Sequence, residues 1–396
     1  MIKTPHGNRI HIAIYGNRNA GKSSLMNAII GQEISIVSDV MGTTTDPVTK
    51  AMELIPLGPV LFIDTAGLDD IGELGLKRVE KSEKILQRTD FAIYVSDCND
   101  DFSDYDIFTR NFKKFNIPHL HVVNKIDTAS ENRITEIQEL FPKAQLVSAM
   151  DFQSILSLKD RLISEIEDKQ IDPPIVGDIL EYNSNMIMVV PIDSEAPKGR
   201  IILPQVQLIR DALDHGIKSY VVRDTELEDA LKNIKDVDLV VTDSQAFKKV
   251  SEIVPENIAL TSFSILYARY KGDLKSFVDG LKILEENRKS LKVLISESCT
   301  HNFSHEDIGR VKIPALLQKK YPDCQFDFEF QMGHDFPNNP SPYDMIIHCG
   351  SCMLNKKTMI TRIDMCEKLG VPITNYGILL AHLTGILDRT VSMFEI

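Results

Sequence analysis

Two sets of residues in this chain have types and spacings that could do chemistry. The run Gly16-Asn17-Arg18-Asn19-Ala20-Gly21-Lys22-Ser23 is a G-x-x-x-x-G-K-S pattern. A loop of this kind wraps its backbone around phosphate oxygens. Its glycines let N–H groups turn inward, its lysine neutralises charge on the β and γ groups, and its serine hydroxyl ligates Mg2+. A helix opening at Lys22 adds the favourable field of its amino end. The candidate cradle is Gly16, Asn19, Ala20, Gly21, Lys22, Ser23 and Ser24. The second set is Cys299-Thr300-His301 together with His348-Cys349-Gly350-Ser351-Cys352. Three thiols with histidines beside them suit a soft metal centre, either zinc or iron–sulfur.

Three further runs complete a nucleotide site. Asp64-Thr65-Ala66-Gly67 follows an apolar strand, so Asp64 is placed on the Mg2+ side and Gly67 at the γ-phosphate. Gly42-Thr43-Thr44-Thr45 lies between the first helix and the next strand, and Thr44 is the expected contact to Mg2+ and γ-phosphate. The residues expected to support hydrolysis are thus Lys22, Thr44, Asp64 and Gly67, with Ser23 and Thr44 as Mg2+ ligands. Asn124-Lys125-Ile126-Asp127 ends a strand, where the Asp127 carboxylate can accept two hydrogen bonds from guanine, one from the ring N–H and one from the exocyclic amine. Adenine offers neither, and a site built for polar contacts rejects an analogue lacking them by roughly 10⁴-fold. Ser148-Ala149 follows the next strand and closes the base pocket. Leu68 stands after Gly67, where Ras-like enzymes carry a water-orienting glutamine, so slow intrinsic hydrolysis is expected.

In the cysteine set, Cys299 and Cys349 each follow directly on a strand. Loops leaving the carboxyl ends of parallel strands converge on one sheet edge, so Cys299, Cys349 and Cys352 can meet despite their separation in sequence. His301, two residues from Cys299, is the candidate fourth ligand. His348 stands open between ligation and a supporting role. A helix opening near Lys356 would favour thiolates at its amino end. Cys98, Cys324 and Cys366 have no partners at motif spacing and read as buried core residues.

The elements that must position these residues alternate almost from end to end, which makes the fold class α/β with mainly parallel sheets. Strands are expected at Ile10–Tyr15, Val60–Asp64, Phe91–Ser96, His119–Asn124 and Ala144–Ser148, with helices from Lys22, Gly75, Tyr105 and Glu131. Ile171-Asp172-Pro173-Pro174 then breaks the chain. A second alternation, from Met186–Ile192 to Ile258–Thr261, reads as a small parallel sheet of its own, and a third carries Leu291–Glu297, Gln325–Phe330, Asp344–His348 and Pro372–Thr374 before an amphipathic C-terminal helix. The resulting division is three consecutive α/β domains, 1–170, 175–268 and 269–396. At 396 residues the chain is too long for one core. A net charge of −13 argues against a nucleic-acid backbone binder. No apolar run approaches the roughly 20 residues of a membrane span, and the start of the chain lacks a leader pattern, so a cytoplasmic location is expected.

Residues 9–168 resemble the TrmE/Era-like GTPases, the likeness resting on Gly42-Thr43-Thr44 and on the Asp64-Thr65-Ala66-Gly67-Leu68 run. The resemblance implies that Asn19 helps hold K+ beside the phosphates, while its residue type alone equally suits hydrogen bonding within the loop backbone. A GTPase domain followed by C-x-H and then H-C-x-x-C resembles the HydF family of [FeFe]-hydrogenase maturation GTPases and scaffolds over the whole chain. That resemblance implies GTP/GDP and Mg2+ in the first domain, homodimerisation through the second and a [4Fe–4S] cluster in the third. It further implies a diiron precursor as cargo, made with the radical-SAM maturases HydE and HydG and delivered to apo-[FeFe]-hydrogenase, with neither nucleic acid nor membrane as partner. The competing expectation is an RNA-modification or ribosome-assembly GTPase whose cysteines hold a structural zinc.

Overall fold

The fold is taken from a computed structural model, which describes residues 5–31, 47–65, 83–168, 173–192, 201–298, 307–333 and 335–396. The chain forms two compact units, Met1–Ile171 and Asp172–Ile396.

The first unit is built on six strands: β1 Ile10–Gly16, β2 Val48–Leu54, β3 Gly58–Asp64, β4 Phe91–Asp97, β5 His119–Asn124 and β6 Gln145–Leu146. Their order across the sheet is β2-β3-β1-β4-β5-β6. All neighbours pair in parallel except β2 with β3. Strands β1, β3, β4 and β5 are almost continuously apolar because helices cover both faces, the signature of a central parallel strand. The edge strand β2 buries only Met52 and Leu54. Its mixed pattern, V-T-K-A-M-E-L, explains why no strand is expected there from periodicity. The sixth strand is shorter than its apolar run, since only Gln145 and Leu146 pair with β5.

Winding from β1 proceeds to β3 on one side and β4 on the other. The loop after β1 therefore opens into the crevice at the carboxyl edge where the strand order reverses, the usual ligand position in open α/β sheets. Helix Lys22–Ile30 leaves that loop and buries Leu25, Met26, Ile29 and Ile30 against helix Phe152–Glu167, which contributes Ile155, Leu158, Leu162 and Ile166. Asp151 caps the latter helix by accepting from the Gln153 and Ser154 N–H groups.

The second unit contains two four-stranded sheets, both wholly parallel. One has β7 Asn185–Val189, β8 Lys218–Val222, β9 Val237–Thr242 and β10 Ala259–Ser262 in the order β10-β9-β7-β8. The other has β11 Ser290–Glu297, β12 Gln325–Met332, β13 Met345–His348 and β14 Ile373–Asn375 in the order β12-β11-β13-β14. The C-terminal segment departs from its expected amphipathic character. Residues Tyr376, Gly377, Ile378, Leu379, Leu380 and Ala381 are buried in succession within helix Tyr376–Thr384. A helix apolar on all sides is covered on all sides. This one packs on helices of both sheet systems, including Phe263–Lys271 and Ile313–Lys320, and only the later helix Leu387–Val391 ends the fold.

Close backbone approach at Gly280 is a specific requirement of this unit. A Cβ there would lie 2.0 Å from the Ile373 carbonyl oxygen on β14, and backbone cannot yield as a flexible side chain can. Gly280→Ala is expected to cost at least the ~1–3 kcal/mol of an overpacked core. Chemical denaturation of the second unit, followed by circular dichroism, checks this; an unchanged midpoint would contradict it.

Candidate functional site

The nucleotide cradle starts where β1 ends. Gly16 has φ +139°, and a Cβ on it would come 2.0 Å from the Val95 carbonyl oxygen on neighbouring β4, so only glycine fits. Asn19 occupies the left-handed region at φ +64°, which asparagine tolerates better than most residues, and its side chain is exposed. Gly21 is the N-cap of helix Lys22–Ile30 at φ +89°, with its absent Cβ position 2.4 Å from the Asn124 side-chain nitrogen. Lys22 is buried, and its ammonium donates to the carbonyls of Gly16 and, at 2.9 Å, Asn17. It thus lies across the mouth of the loop. The Ser23 hydroxyl donates to Asp64 Oδ2 at 2.5 Å. Two hard oxygen donors from different elements converge here, which is what Mg2+ chemistry asks for. Ser24 follows on the exposed side of the first turn. Ala66, Gly67 and the run Gly42–Thr45 with Thr44 lie outside the described residues.

The base side is tied to the cradle by Asn124. Its amide donates to the Ala20 carbonyl at 3.0 Å and its carbonyl accepts from the Ala149 N–H at 3.2 Å, so one buried side chain clamps two loops. Lys125 sits at φ +62°, and its ammonium donates to the Asn19 carbonyl at 2.6 Å and to Asp97 at 2.7 Å. Burial alone would raise the Asp97 carboxyl, but the Lys125 contact and the Asn99 N–H hold it below its ordinary value. Asp97 escaped the sequence reading. Its signal is a carboxylate at the carboxyl end of β4, immediately beside Asn124 on β5 in the register. Cys98 is fully buried and donates to the Lys125 carbonyl at 3.1 Å, a supporting contact beneath the same loop. Asp127 lies exposed in the turn Ile126–Thr128. The Ser148 N–H donates to the Ser154 hydroxyl at 2.9 Å and its own hydroxyl accepts from the Met150 N–H at 3.3 Å, which shapes the loop carrying Ala149.

The cysteine site lies at the carboxyl edge of the last sheet. Strands β11 and β13 pair with Ser296 opposite His348, so the chain leaves both strands at the same level. The Cys349 N–H donates to the Ser296 carbonyl at 2.9 Å, and the Ser298 N–H and hydroxyl lie 3.0 and 2.8 Å from the Cys349 sulfur. Residue 298 is the last described before Cys299, and Cys299 and His301 lie outside the described residues. Among the described residues no group of three or more His, Cys, Asp or Glu side chains is arranged to hold a metal ion. The donor set that is described fits a thiophilic centre: Cys349 and Cys352 are free thiols on one turn, and N–H donation to sulfur is a feature that stabilises metal-bound thiolate. Burial pushes the Cys352 thiol up, Cys349 adds to that, and the Lys271 ammonium acts in the opposite direction. The expected lowering by the helix at Lys356 is not the deciding effect, since Asn355 already caps that helix by accepting from the Thr358 N–H.

His348 is fully buried. Its Nε2 accepts from Arg362 at 2.6 Å, which leaves the proton on Nδ1, beside the Cys349 carbonyl and the Ser351 hydroxyl, each at 3.0 Å. Both nitrogens are engaged. Burial and the Arg362 charge hold the ring neutral, with its pKa lowered to about 3. The imidazole therefore braces the turn that carries the two cysteines.

Comparison with known proteins bears on each region separately. Residues 275–393 match the family described as the hydrogen maturase F tetramerization domain, and residues 175–272 match the hydrogen maturase F dimerization domain. The chain belongs to the HydF family. Residues 11–125 match the domain family described as 50S ribosome-binding GTPase. Among curated proteins, GTPase Der of Wolinella succinogenes is 37% identical over 171 residues, covering 40% of this chain and 36% of that protein. GTPase Der of Nitratiruptor sp. is 31% identical over 169 residues, 42% of this chain and 36% of that protein. The chain spans about a third of the length of these relatives. Among solved structures, the G domain of the T. maritima FeoB iron transporter aligns with 18% identity over 40% of this chain and 99% of that one, with a TM-score of 0.32. Era in complex with MgGDPNP and 16S ribosomal RNA nucleotides aligns with 22% identity over 54% and 91% of the two chains, TM-score 0.31. The HydF matches cover both sheets of the second unit, and a GTPase domain precedes them. Among the described residues no helix is long and apolar enough to cross a membrane.

The clamp formed by Asn124 has a measurable consequence. Asn124→Ala removes two hydrogen bonds and leaves the Ala20 carbonyl and Ala149 N–H to be satisfied otherwise, at about 1–3 kcal/mol. Affinity for guanine nucleotides is expected to fall by roughly 10- to 100-fold, measured by titration with a fluorescent GDP analogue. Unaltered affinity would show that the cradle and base loop hold their positions without it.

Proposed function

We propose that this chain binds and hydrolyses GTP in its first domain and carries an iron–sulfur cluster in its last, acting as a scaffold that delivers a diiron precursor to apo-[FeFe]-hydrogenase. The observation that carries the reading is the joint one: a GTPase domain with its cradle, Mg2+-side carboxylate and base clamp is followed in the same chain by the two HydF domains, the second bearing Cys349 and Cys352 on one turn next to the Ser298 end of β11. The domain division is 1–170, 175–268 and 269–396, with oligomerisation through the second and third. In this reading Cys299, Cys349 and Cys352 hold the cluster, and His301 supplies or guards the fourth position. Such a cluster offers an iron with one exchangeable ligand. The radical-SAM maturases HydE and HydG and the apo-hydrogenase are its protein partners. The ribosome- or RNA-directed reading with a structural zinc would leave the HydF matches over 175–393 without a role.

In the first domain, Lys22 neutralises phosphate charge, Ser23 and Asp64 serve the Mg2+ side, and Asp127 reads guanine. Asp127→Asn is expected to weaken discrimination against ATP and to raise affinity for xanthosine nucleotides, because an amide can donate to the xanthine oxygen. Competition binding with GDP, XDP and ADP measures it; a wild-type protein with equal affinity for ATP and GTP would remove the guanine assignment.

In the last domain, replacing Cys299, Cys349 or Cys352 singly by Ala is expected to abolish a stable cluster spectrum after anaerobic reconstitution while GTP hydrolysis continues. His301→Ala should keep the cluster with an altered EPR signal, since a replaceable position survives loss of one neutral ligand. Hydrogenase activation by the three cysteine variants should drop to background. A cysteine variant that activates as well as the wild type would exclude this site as the carrier.

A further inference from the structure

The cysteine turn is held by a buried lysine that comes from the neighbouring sheet system. Helix Phe263–Lys271 opens directly after β10, with Ser262 capping it by accepting from the Ile265 N–H. One side of the helix, Phe263, Leu266 and Tyr267, packs with Met186, Met188, Leu208 and Ala212 of the β7–β10 system. Another side, Ile265 and Ala268, packs with Val293, Ile313 and Ile378 of the β11–β14 system. The helix therefore cannot shift relative to either sheet without opening a core. Its last residue, Lys271, is 3% exposed. The Lys271 ammonium donates to the carbonyls of Ser351 at 3.3 Å, Cys352 at 3.4 Å and Leu354 at 2.9 Å, three acceptors on one turn. It also lies 5.8 Å from the centre of the Tyr267 ring, whose hydroxyl donates to Gln207 on helix Leu203–Asp214.

Two features make this arrangement more than a packing contact. A buried ammonium costs several kcal/mol unless its protons are matched, and here three acceptors lie on the turn that carries Cys349 and Cys352. The turn is itself unusual backbone, with Ser351 at φ +57°, a conformation a serine holds only when its surroundings impose it. The second buried cation of this region, Arg362, is committed elsewhere: its guanidinium donates to His348 and to the Gly333 carbonyl and stacks 4.7 Å over Phe336. A buried carboxylate in the same region, Glu297, faces Arg310 at 3.5 Å and the Tyr376 hydroxyl at 3.3 Å. Lys271 is thus a buried cation placed on the backbone of the cysteine turn.

We propose that Lys271 is a positioning residue for the cluster, fixing the Cys349–Leu354 turn and supplying from the end of helix Phe263–Lys271 a positive charge that favours the reduced, more negative state of the bound cluster. This rests on the reading of Cys349 and Cys352 as cluster ligands. A fixed positive charge in a poorly screened interior stabilises whichever redox state carries more negative charge, so its removal lowers the reduction potential. The same lysine makes the cluster turn part of the rigid frame that includes the β7–β10 sheet.

The test compares Lys271→Met and Lys271→Arg with wild type after anaerobic reconstitution of the full chain. Iron and sulfide content and the elution volume of the oligomer report loading and folding, and an EPR-monitored titration with dithionite reports the potential. In Lys271→Met the reduced-to-oxidised ratio at a fixed ambient potential should fall at least tenfold, a shift of about 59 mV for one electron. Lys271→Arg should stay near the wild-type value. A loaded Lys271→Met protein with wild-type potential would overturn the proposal. If Lys271→Met cannot be loaded, Lys271→Arg decides: loading with wild-type potential supports the need for a charged donor, and failure to load overturns the charge argument. A wild-type protein that takes up no cluster would refute the underlying cluster reading instead, which keeps the two failures distinct.

Discussion

The parallel hydrogen bonding of β1 between β3 and β4, and of β11 between β12 and β13, decides where each loop of chemical interest leaves its sheet. Strands that run in the same direction release their following loops along one edge, while the helices that return the chain cover the two faces. The phosphate loop, Asp64, Asp97 and Asn124 reach the same edge of the first sheet for this reason. Ser298 and Cys349 reach the same edge of the last sheet for the same reason. A slip of one residue in the β11–β13 register would turn His348 away from Arg362 and carry the Cys349 sulfur off the Ser298 N–H.

Each site uses buried polar side chains to lock loops that sequence alone leaves independent. In the first unit this is Asn124, which holds the loop after β1 and the loop after β6 together through a donor and an acceptor of one amide. In the second unit the corresponding task falls to the pair His348 and Arg362 and to Lys271. Such groups are costly when incompletely matched, so they tolerate few arrangements of their neighbours. That intolerance makes them precise supports for a nucleotide or a metal centre, where a displacement of an ångström matters.

The contrast between the two regions also shows how helix fields and burial compete. A helix amino end favours anions, and helix Lys22–Ile30 points its first turn at the phosphate loop in that way. At Cys352 the comparable helix begins later and is already capped by Asn355, and burial prevails by pushing the thiol up. At Cys352 the opposing influence is the Lys271 ammonium, whereas at Cys349 the Ser298 N–H donates to the sulfur.

What the residues determined unaided was everything that depends on short-range spacing. Glycines at 16 and 21 around a lysine at 22, an aspartate after an apolar run at 64, and N-K-x-D at 124–127 are local patterns whose chemistry follows from their spacing, and the alternation of apolar runs with helical periods indicates parallel sheets. The edge strand β2, with its mixed side chains, was not legible because an edge strand needs no buried face of its own. The C-terminal helix was misjudged as amphipathic because its covering partners come from distant parts of the chain. The partners of His348 were hidden for a similar reason: Arg362 meets the imidazole only through the packing of helix Lys356–Lys368. Asp97 and Lys271 are likewise products of the tertiary structure. Each is an ordinary charged residue in sequence, and only burial beside a particular loop, 28 positions away for Asp97 with Lys125 and 81 for Lys271 with Cys352, makes its charge consequential.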